Sequence, residues 1–207
     1  MKKNQSSPLL ILISAPSGAG KTTLCQHLLQ ARPEMTRAIT CTTREPRPGE
    51  KNGVDYYFFS ATEFQRRKRA GEFIEHATVY GNHYGILKSE LLGKLRSGRD
   101  VLLNVDVQGA ATIRRRVRSV PELKRALVTV FLAPPSIAEL EARLKNRAAD
   151  SAAAIQKRLA VARRESAQWK NFDYLLTSST KPEDLRRALA IVEAEKMRVA
   201  RTEAPEF

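Results

Sequence analysis

A glycine-rich segment near the start of the chain carries the residue types and spacing most suited to chemistry. Positions 14–23 read Ser-Ala-Pro-Ser-Gly-Ala-Gly-Lys-Thr-Thr and directly follow the apolar run 9–13. Backbone N–H groups of such a loop can converge on a phosphate, and the N-terminus of the next helix adds positive potential. Lys21 would then bridge β- and γ-phosphate oxygens, and the Thr22 hydroxyl would coordinate Mg²⁺. The alternative is a glycine-rich turn before an ordinary helix, which the Lys-Thr pair at this spacing disfavours.

The segment predicts a set of contacts to a nucleoside triphosphate. Ala15 stands where the strict pattern has glycine, and alanine fits most turn conformations except those with positive φ. Asp106 directly follows the apolar run 101–105 and is predicted to be the acid that holds the metal, directly or through water. The predicted ATP-binding residues are Ala15, Pro16, Ser17, Gly18, Ala19, Gly20, Lys21, Thr22 and Thr23.

The sequence around this loop alternates between predicted strands and predicted helices. Short apolar runs at 9–13, 101–105, 127–132 and 174–177 are typical of parallel strands buried on both faces. Helical spacing marks the stretches between and after them, at 21–30, 109–118, 137–146 and 182–199. The pattern predicts an α/β fold with a phosphate-loop core.

Two segments depart from this alternation of strands and helices. Positions 36–86 are rich in Thr, Tyr, Phe and turn residues, with strands predicted at 56–59, 73–79 and 83–86. Positions 139–170 show a nearly continuous helical pattern with a weak break at 148–150. We therefore expect a small β-rich insertion and a mobile helical hairpin.

Composition limits the possible classes of protein. At 207 residues and 42% hydrophobic content, the chain can bury one sizeable core. The run 9–13 is too short for a signal or membrane segment. Cys25 and Cys41 lack the count and spacing of a disulfide framework or zinc site, which suits a reducing cytoplasm. A cytoplasmic location is expected.

The net charge of +14 raises the possibility of nucleic-acid binding. The densest basic runs, 66–69 and 114–118, fall in helical stretches, where long basic side chains usually form a solvated face. No aromatic-rich stacking motif accompanies them. We expect instead a field that attracts phosphorylated small molecules.

Several longer motifs in unbroken order, over about 9–199, closely resemble the guanylate kinase family. They lie at 40–50, 52–56, 72–77, 80–85, 104–110, 131–136 and 143–147. The resemblance implies a five-stranded parallel sheet in a core made of 1–36, 87–136 and 171–207. It also implies a GMP-binding insertion at 37–86 and a lid at 137–170. The implied activity is transfer of the γ-phosphoryl group of ATP, with Mg²⁺, to GMP, which gives ADP and GDP. The expected acceptors include dGMP.

The resemblance also implies the acceptor site. Arg44 and Arg47 can form a guanidinium fork on the GMP phosphate, aided by the hydroxyls of Tyr56 and Tyr84. The two oxygens of Glu75 would accept from guanine N1–H and N2–H₂, a donor pair that adenine lacks. The implied GMP-binding residues are Thr40, Arg44, Arg47, Tyr56, Glu75, Tyr84, Gly85, Ile86 and Asp106.

Catalysis is expected to rest on positioning and charge neutralisation. No general base is assigned, because the acceptor phosphate, with a second pKa of about 6, is already largely dianionic at neutral pH. The implied catalytic residues are Lys21, Arg44, Arg143, Arg147 and Arg158.

Four positions depart from the family pattern and put base selectivity in question. Ile86 replaces a hydroxyl residue, Asn104 replaces an acid, Ala148 replaces a lid glycine, and Ser178 replaces an asparagine beside adenine.

The alternative functions are a kinase for another acceptor, a silent peptide-binding module, and a nucleic-acid-binding ATPase. The intact phosphate loop argues against the silent module, and the oligomeric state stays open.

Overall fold

The computed structural model describes residues 6–145 and 152–202, with the side chains of 137, 143–145 and 152–155 outside that description. The strands are β1 Leu10–Ser14, β2 Thr36–Arg37, β3 Cys41–Thr42, β4 Tyr57–Phe58, β5 Phe73–Val79, β6 Asn82–Leu87, β7 Val101–Asn104, β8 Leu127–Ala133 and β9 Tyr174–Thr177. The helices are α1 Lys21–Ala31, α2 Ala61–Arg69, α3 Lys88–Arg96, α4 Val107–Arg116, α5 Pro121–Ala126, α6 Ile137–Lys145, α7 Ala152–Ser166 and α8 Lys181–Lys196.

A five-stranded, all-parallel sheet forms the centre of the molecule, in the order β2-β7-β1-β8-β9. Strand β1 lies in the middle, with Leu10 paired to Val101 on one side and to Leu127 on the other. Every β1 residue is buried, as expected for a parallel strand covered on both faces. The predicted α/β fold and five-stranded parallel sheet are confirmed.

Helices cover both faces of this sheet, so two apolar clusters form. One contains Leu24 and Leu28 of α1 with Ala188 and Val192 of α8. The cluster on the other face is built from α3, α4 and α5 and includes Ile113. Because β1 alternates its side chains between the two clusters, it holds the helices on both faces in register.

A smaller four-stranded sheet, in the order β4-β3-β6-β5, follows the first helix of the core. It packs against α2 through a cluster of Cys41, Phe64, Phe73 and Leu87. The rings of Phe64 and Phe73 stack with centroids 4.5 Å apart. Ser60 is the N-cap of helix α2, and its side-chain oxygen accepts a hydrogen bond from the N–H of Glu63.

The basic run 66–69 lies in this helix, as predicted, and the run 114–118 lies in α4 and the 3₁₀ turn Val117–Ser119. The predicted strands at 73–79 and 174–177 match β5 and β9, and the other predicted strands differ by one or two residues at their ends. Helices α3 and α5 are additional, because their short apolar patterns gave no clear periodicity.

A pair of helices, α6 and α7, packs through Leu140, Leu159 and Ala162. The predicted break between them, at 148–150, lies outside the described residues. The division into core, insertion and lid at the stated boundaries stays a prediction. Among the described residues, no helix combines the length and apolar character needed to cross a bilayer.

Candidate nucleotide site

The glycine-rich loop connects the end of β1 to the start of α1. Gly20, the residue before the helix, has φ of 96°, which lies in the left-handed region. A side chain at this position would strain the backbone, so glycine is required there. Among the described residues Tyr80 alone combines a side chain with positive φ, so Ala15 sits in a conformation open to alanine. The departure at Ala15 therefore leaves the loop geometry intact.

A cavity of about 390 Å³ lies over this loop. Its lining is the whole predicted set from Ala15 to Thr23, together with Asp106 and Glu165. The Lys21 ammonium donates to the Val105 carbonyl oxygen at 2.8 Å, so its side chain reaches across to the end of β7. Burial lowers the pKa of Lys21, and the nearby Asp106 carboxylate opposes that shift. The arrangement places a positive charge at the bottom of a phosphate-sized cavity.

Asp106 caps the N-terminus of α4, where one carboxylate oxygen accepts the Gly109 N–H at 2.7 Å. Its other oxygen has no hydrogen bond to the described residues. Within those residues no group of three or more His, Cys, Asp or Glu could hold a metal by itself. Mg²⁺ in phosphate sites needs only one or two protein oxygens beside waters and phosphates. Thr22 and Asp106, which line the same cavity, therefore fit this ion.

A β-bulge directs Glu75 towards the same region. Phe73 pairs with Leu87 and Glu75 pairs with Ile86, so Ile74 is the extra residue between them. In a regular strand Ile74 and Glu75 would point to opposite faces, and the bulge changes this alternation. Since Ile74 and Ile86 belong to the apolar cluster beside the large sheet, Glu75 is turned towards the core rather than towards α2.

Helix α4 lies against the bulge. Arg116 donates to the carbonyl oxygens of Phe73 and Ile74 at 3.3 and 3.4 Å. A Cβ atom built on Gly109 would lie 3.8 Å from the Glu75 carboxyl carbon, so glycine permits this close approach. Burial, followed by the Asp106 charge, raises the pKa of Glu75 to about 7, and Arg116 opposes the shift. Glu75 is thus a half-buried carboxylate held beside Asp106, a position suited to accept from paired N–H donors.

The predicted phosphate-binding side chains of the acceptor site only partly converge. Both carboxylate oxygens of Glu50 accept from Arg44 at 2.9 Å. The Arg44 guanidinium also lies 5.5 Å from the centre of the Tyr56 ring, which is 6.3 Å from the Tyr84 ring. Arg47 is exposed, and its backbone N–H donates to Glu50. The structure therefore brings Arg44 and the two tyrosines together, while the Arg47 side chain is exposed in the same loop.

A second cavity of about 410 Å³ adjoins this group. Thr22, Thr40, Tyr56, Ile86 and Asn104 are among its lining residues. Ile86 is 4% exposed, so the side chain is mostly packed in the core and presents only a small apolar surface to the cavity.

Gly85, also in the predicted acceptor set, has a packing reason to lack a side chain. A Cβ atom there would lie 2.8 Å from a ring carbon of Phe73, closer than real contacts allow.

Two of the three predicted lid arginines lie within the described residues. Arg143 lies in α6, Arg147 falls outside the described residues, and Arg158 is exposed on α7. The same helix, α7, carries Glu165 to the edge of the phosphate cavity. Burial raises the pKa of the Glu165 carboxyl.

Sequence reasoning missed Glu165, Glu50 and Arg116. Each is an ordinary charged residue in a turn or helix. The places of Glu165 and Arg116 depend on how distant segments pack, and that of Glu50 depends on the turn that brings it back to Arg44.

A third cavity, of about 400 Å³, shares Gly20 and Thr23 with the phosphate cavity. His27, Ser178 and Asp184 also line it. The hydroxyl of Ser178 donates to Asp184 at 2.8 Å, and the backbone N–H of Ser179 donates to its other oxygen at 2.7 Å. The sequence singled out Ser178 but gave no sign of its pairing with Asp184.

A larger cavity of about 610 Å³ lies elsewhere, between α3, α5 and the segment before β1, and no predicted site residue lines it. The phosphate loop and the residues around it, rather than this cavity, therefore define the candidate site. Together these residues offer backbone and ammonium donors for phosphates and a carboxylate for a base.

The chain also matches known proteins. The family model described as guanylate kinase matches residues 7–195. The chain is similar to a protein named guanylate kinase from Coxiella burnetii, 45% identical over 91% of this chain and 88% of that protein. A second relative with that name, from Aromatoleum aromaticum, is 43% identical over 92% of this chain and 90% of that protein.

Among solved structures, the chain resembles the crystal structure of guanylate kinase from Anaplasma phagocytophilum. The TM-score is 0.70 at 31% identity, with 96% of this chain and 91% of the other covered. A family match that covers nearly the whole chain, with relatives above 40% identity, leads to one assignment. The chain belongs to the guanylate kinase family.

Proposed function

We propose that the protein transfers the γ-phosphoryl group of ATP to GMP, and also to dGMP, to give ADP and GDP. The observation that carries this proposal is that the phosphate loop and Glu75 both lie next to Asp106 and the first turn of α4. The phosphate loop reaches this point through Lys21 and Val105, and Glu75 reaches it through the bulge in β5. A phosphate-binding loop and a base-reading carboxylate around one centre suit a kinase whose acceptor is a nucleotide.

The donor would bind with its phosphates in the cavity over the loop. The backbone of residues 15–23 and the N-terminus of α1 supply N–H donors and positive potential. Lys21 is held by the Val105 carbonyl before the nucleotide arrives, so it needs little reorganisation to reach the β- and γ-oxygens. When bound, Mg²⁺ would neutralise phosphate charge, and Thr22 and Asp106 are the residues that would hold it.

The acceptor phosphate would lie near Arg44, Tyr56 and Tyr84. The Nη2 group of Arg44 donates to both oxygens of Glu50 and Nη1 donates to the Glu45 carbonyl oxygen, so the guanidinium plane is oriented before the acceptor phosphate arrives. Arg47, exposed in the same loop, would have to turn inwards to contact this phosphate. Arg143, Arg147 and Arg158 are proposed to approach the transferred group when α6 and α7 close over it.

Base selection would depend on Glu75. A carboxylate that lacks a partner among the described residues is costly to bury, and guanine supplies the two N–H donors that it needs. Adenine would leave the carboxylate unpaired and is therefore rejected. The Thr40 side chain, in the adjacent cavity, is proposed to add one further contact.

The experiment that tests the proposal is an ADP-release assay with ATP as the donor and GMP, dGMP, AMP, CMP and UMP as separate acceptors. We expect turnover with GMP and dGMP and little with the other three. Equal turnover with AMP would contradict the role of Glu75. No turnover with any acceptor, in a folded protein that binds ATP, would favour the peptide-binding alternative.

A cytoplasmic location is part of the proposal. Both cysteines are free and buried, and burial raises the pKa of each thiol to about 12. Such thiols stay protonated and unreactive, which is compatible with a reducing compartment.

A further inference from the structure

The small sheet is joined to the large one by two segments of chain that lie next to each other. The chain leaves the large sheet after β2 and enters the small sheet at β3, so residues 38–40 are the way in. It returns through β6, which pairs with β3 and leads directly into α3. Thr40, a proposed contact to GMP, lies on the first of these segments.

Glu90, in the first turn of α3, links the two segments. One of its carboxylate oxygens accepts from the Ile39 N–H at 3.0 Å, and the other accepts from the Tyr57 hydroxyl at 2.9 Å. The Lys94 ammonium lies 2.6 Å from the first oxygen and donates to the Arg37 carbonyl oxygen at 2.8 Å. The Glu90 side chain is only 7% exposed, so its loss would leave several donors without their acceptor.

The hydrogen bonds of Glu90 form a closed loop with Thr40. The Tyr57 N–H donates to the Thr40 carbonyl oxygen at 3.0 Å, so Glu90 holds the chain directly before Thr40 and also the residue bonded to it. Burial, followed by the bond to Glu90, raises the pKa of Tyr57 to about 12. The Tyr57 hydroxyl therefore keeps its proton and stays a donor to Glu90 at neutral pH.

Tyr56, a proposed contact to the GMP phosphate, is held from both sides of the chain. Tyr57, the next residue, is bonded to Glu90. On the other side, Arg37 of β2 donates to the carbonyl oxygens of Val54 and Asp55 at 2.8 and 3.3 Å. Since β2 and α3 pack in the large sheet and its helices, the position of Tyr56 is set from that part of the molecule.

From these contacts we propose that Glu90 is a positioning residue for the acceptor site, which fixes Thr40 and Tyr56 before GMP binds. It acts through Ile39 and Tyr57. Groups that are already ordered lose less conformational entropy when the ligand arrives, so the effect is on affinity for the acceptor. The inference rests on the proposed function in one respect, that GMP binds against Thr40 and Tyr56.

Two substitutions of Glu90 separate its hydrogen bonds from its charge. Glu90→Ala and Glu90→Gln both remove the negative charge, but Gln keeps the length and shape of the side chain. Its amide oxygen can accept from the Ile39 N–H, and its NH₂ group can donate to the Tyr57 hydroxyl oxygen, which accepts as well as donates. The difference between the two variants therefore reports the hydrogen bonds.

The experiment measures the dissociation constants of GMP and of ADP with Mg²⁺, each alone, by titration calorimetry, and kcat with ATP and GMP. In Glu90→Ala the dissociation constant of GMP should rise about tenfold, because Thr40 and Tyr56 must then be ordered as GMP binds. In Glu90→Gln it should stay within about threefold of the wild type. The dissociation constant of ADP and kcat should change less than about twofold in both variants, since the phosphate loop is untouched.

The matched control is Glu122→Ala, which breaks the ion pair with Arg96 at the other end of α3 and should leave both affinities unchanged. An unchanged affinity for GMP in Glu90→Ala would overturn the proposal. Equal losses for GMP and ADP would also overturn it, because a contact that only stabilises the fold has no preference for the acceptor. A Gln variant as weak as the Ala variant would do the same.

Tyr57→Phe decides if circular dichroism shows that Glu90→Ala does not fold. It removes one hydroxyl from the closed loop of hydrogen bonds and keeps the ring. A rise of about threefold in the dissociation constant of GMP, with that of ADP unchanged, would support the proposal. An unchanged dissociation constant of GMP would overturn it.

The two proposals fail in different ways. A wild type that binds GMP but does not phosphorylate it would refute the proposed function, and the affinities of the variants would still decide the role of Glu90. A wild type that phosphorylates GMP, with no response to Glu90→Ala, would refute the role of Glu90 alone. A wild type that binds no GMP would refute both.

Discussion

Among the described residues, the Lys21 ammonium makes one hydrogen bond, to the Val105 carbonyl oxygen, and the shape of the loop depends on the backbone conformation. The Lys21→Ala variant should therefore fold normally. Its kcat should fall about 10²-fold or more, the scale of losing one preorganised donor to transition-state charge. Steady-state kinetics with ATP and GMP measure this, and Lys124→Ala, on the exposed face of α5, is the control. More than about half of wild-type kcat in a folded Lys21→Ala protein would refute the role of Lys21.

Glu75 leads to a pH dependence. Its pKa in the free protein is about 7, because burial and the Asp106 charge favour the protonated acid. A protonated Glu75 cannot accept from both guanine donors, so kcat/KM for GMP should fall as pH drops through about 7. The GMP phosphate titrates lower, near pH 6, so the two effects can be separated.

The check on this dependence is a pH profile of kcat/KM for wild type and Glu75→Gln. The Gln variant should have low activity with GMP and should lose the step near neutrality. A wild-type profile that is flat between about pH 6.5 and 8, above the titration of the phosphate, would contradict the assignment.

Ile86 allows a test in which only a hydroxyl changes. Threonine and valine have the same shape, so Ile86→Thr and Ile86→Val open the same space beside the cavity with Thr40. The Thr variant should bind GMP several-fold more tightly than the Val variant, the usual effect of one neutral hydrogen bond, with no gain for AMP. Because Ile86 is 4% exposed, the Thr variant should also be less stable than the Val variant by about 1–3 kcal/mol.

Saturation curves with GMP and AMP, together with denaturant unfolding, measure both effects. If the Thr and Val variants have equal affinity for GMP, the side chain at position 86 does not reach the base.

At the scale of elements, the α6–α7 pair has an apolar cluster of its own, and so does the small sheet with α2, although Ile74 and Ile86 of that sheet also join a cluster of the large sheet. Such units can move relative to the core, and in-line transfer requires both nucleotides to be enclosed and aligned. Amide exchange in 40–86 and 156–164 should therefore slow when a bisubstrate analogue binds. Helix α5, at the opposite end of the sheet from the loop, should show no change and serves as the internal control. Unchanged exchange in both segments would contradict the proposed insertion and lid.

The whole molecule carries a net charge of +14, but part of its positive charge is paired locally. Arg66 and Arg67 both contact Glu63, and Arg186 and Arg187 both contact Glu183. The remaining field should attract phosphorylated small molecules without a defined nucleic-acid surface.

We therefore expect duplex and single-strand binding to be weak and steeply dependent on salt. A salt titration of the affinity measures this. At about 0.15 M salt, the dissociation constants should be in the non-specific range, about 10⁻⁴–10⁻⁶ M. Nanomolar binding at that salt concentration would contradict the expectation.

The sequence by itself determined the local features of this protein. Four of the five strands of the large sheet are predictable from their apolar runs, whereas the two-residue edge strand β2, Thr36–Arg37, leaves no such run. The phosphate loop is predictable because Gly20 must adopt a positive φ before Lys21. Family motifs supplied the residues around the acceptor. Such features depend on neighbours in the chain, so composition and spacing record them.

Only the tertiary structure decided how the charged groups are paired and aimed. Four such features leave no periodic pattern in the sequence. They are the bulge at Glu75, the Arg116 hydrogen bonds to that bulge, the Arg44–Glu50 ion pair and the Ser178–Asp184 hydrogen bond. The Arg116 contacts join segments more than forty residues apart, and the Arg44–Glu50 and Ser178–Asp184 pairs, six residues apart, need a turn that brings the two side chains together. Because packing fixes which polar groups meet, the partners of each hydrogen bond, and with them the proposed base selection, follow from the folded structure.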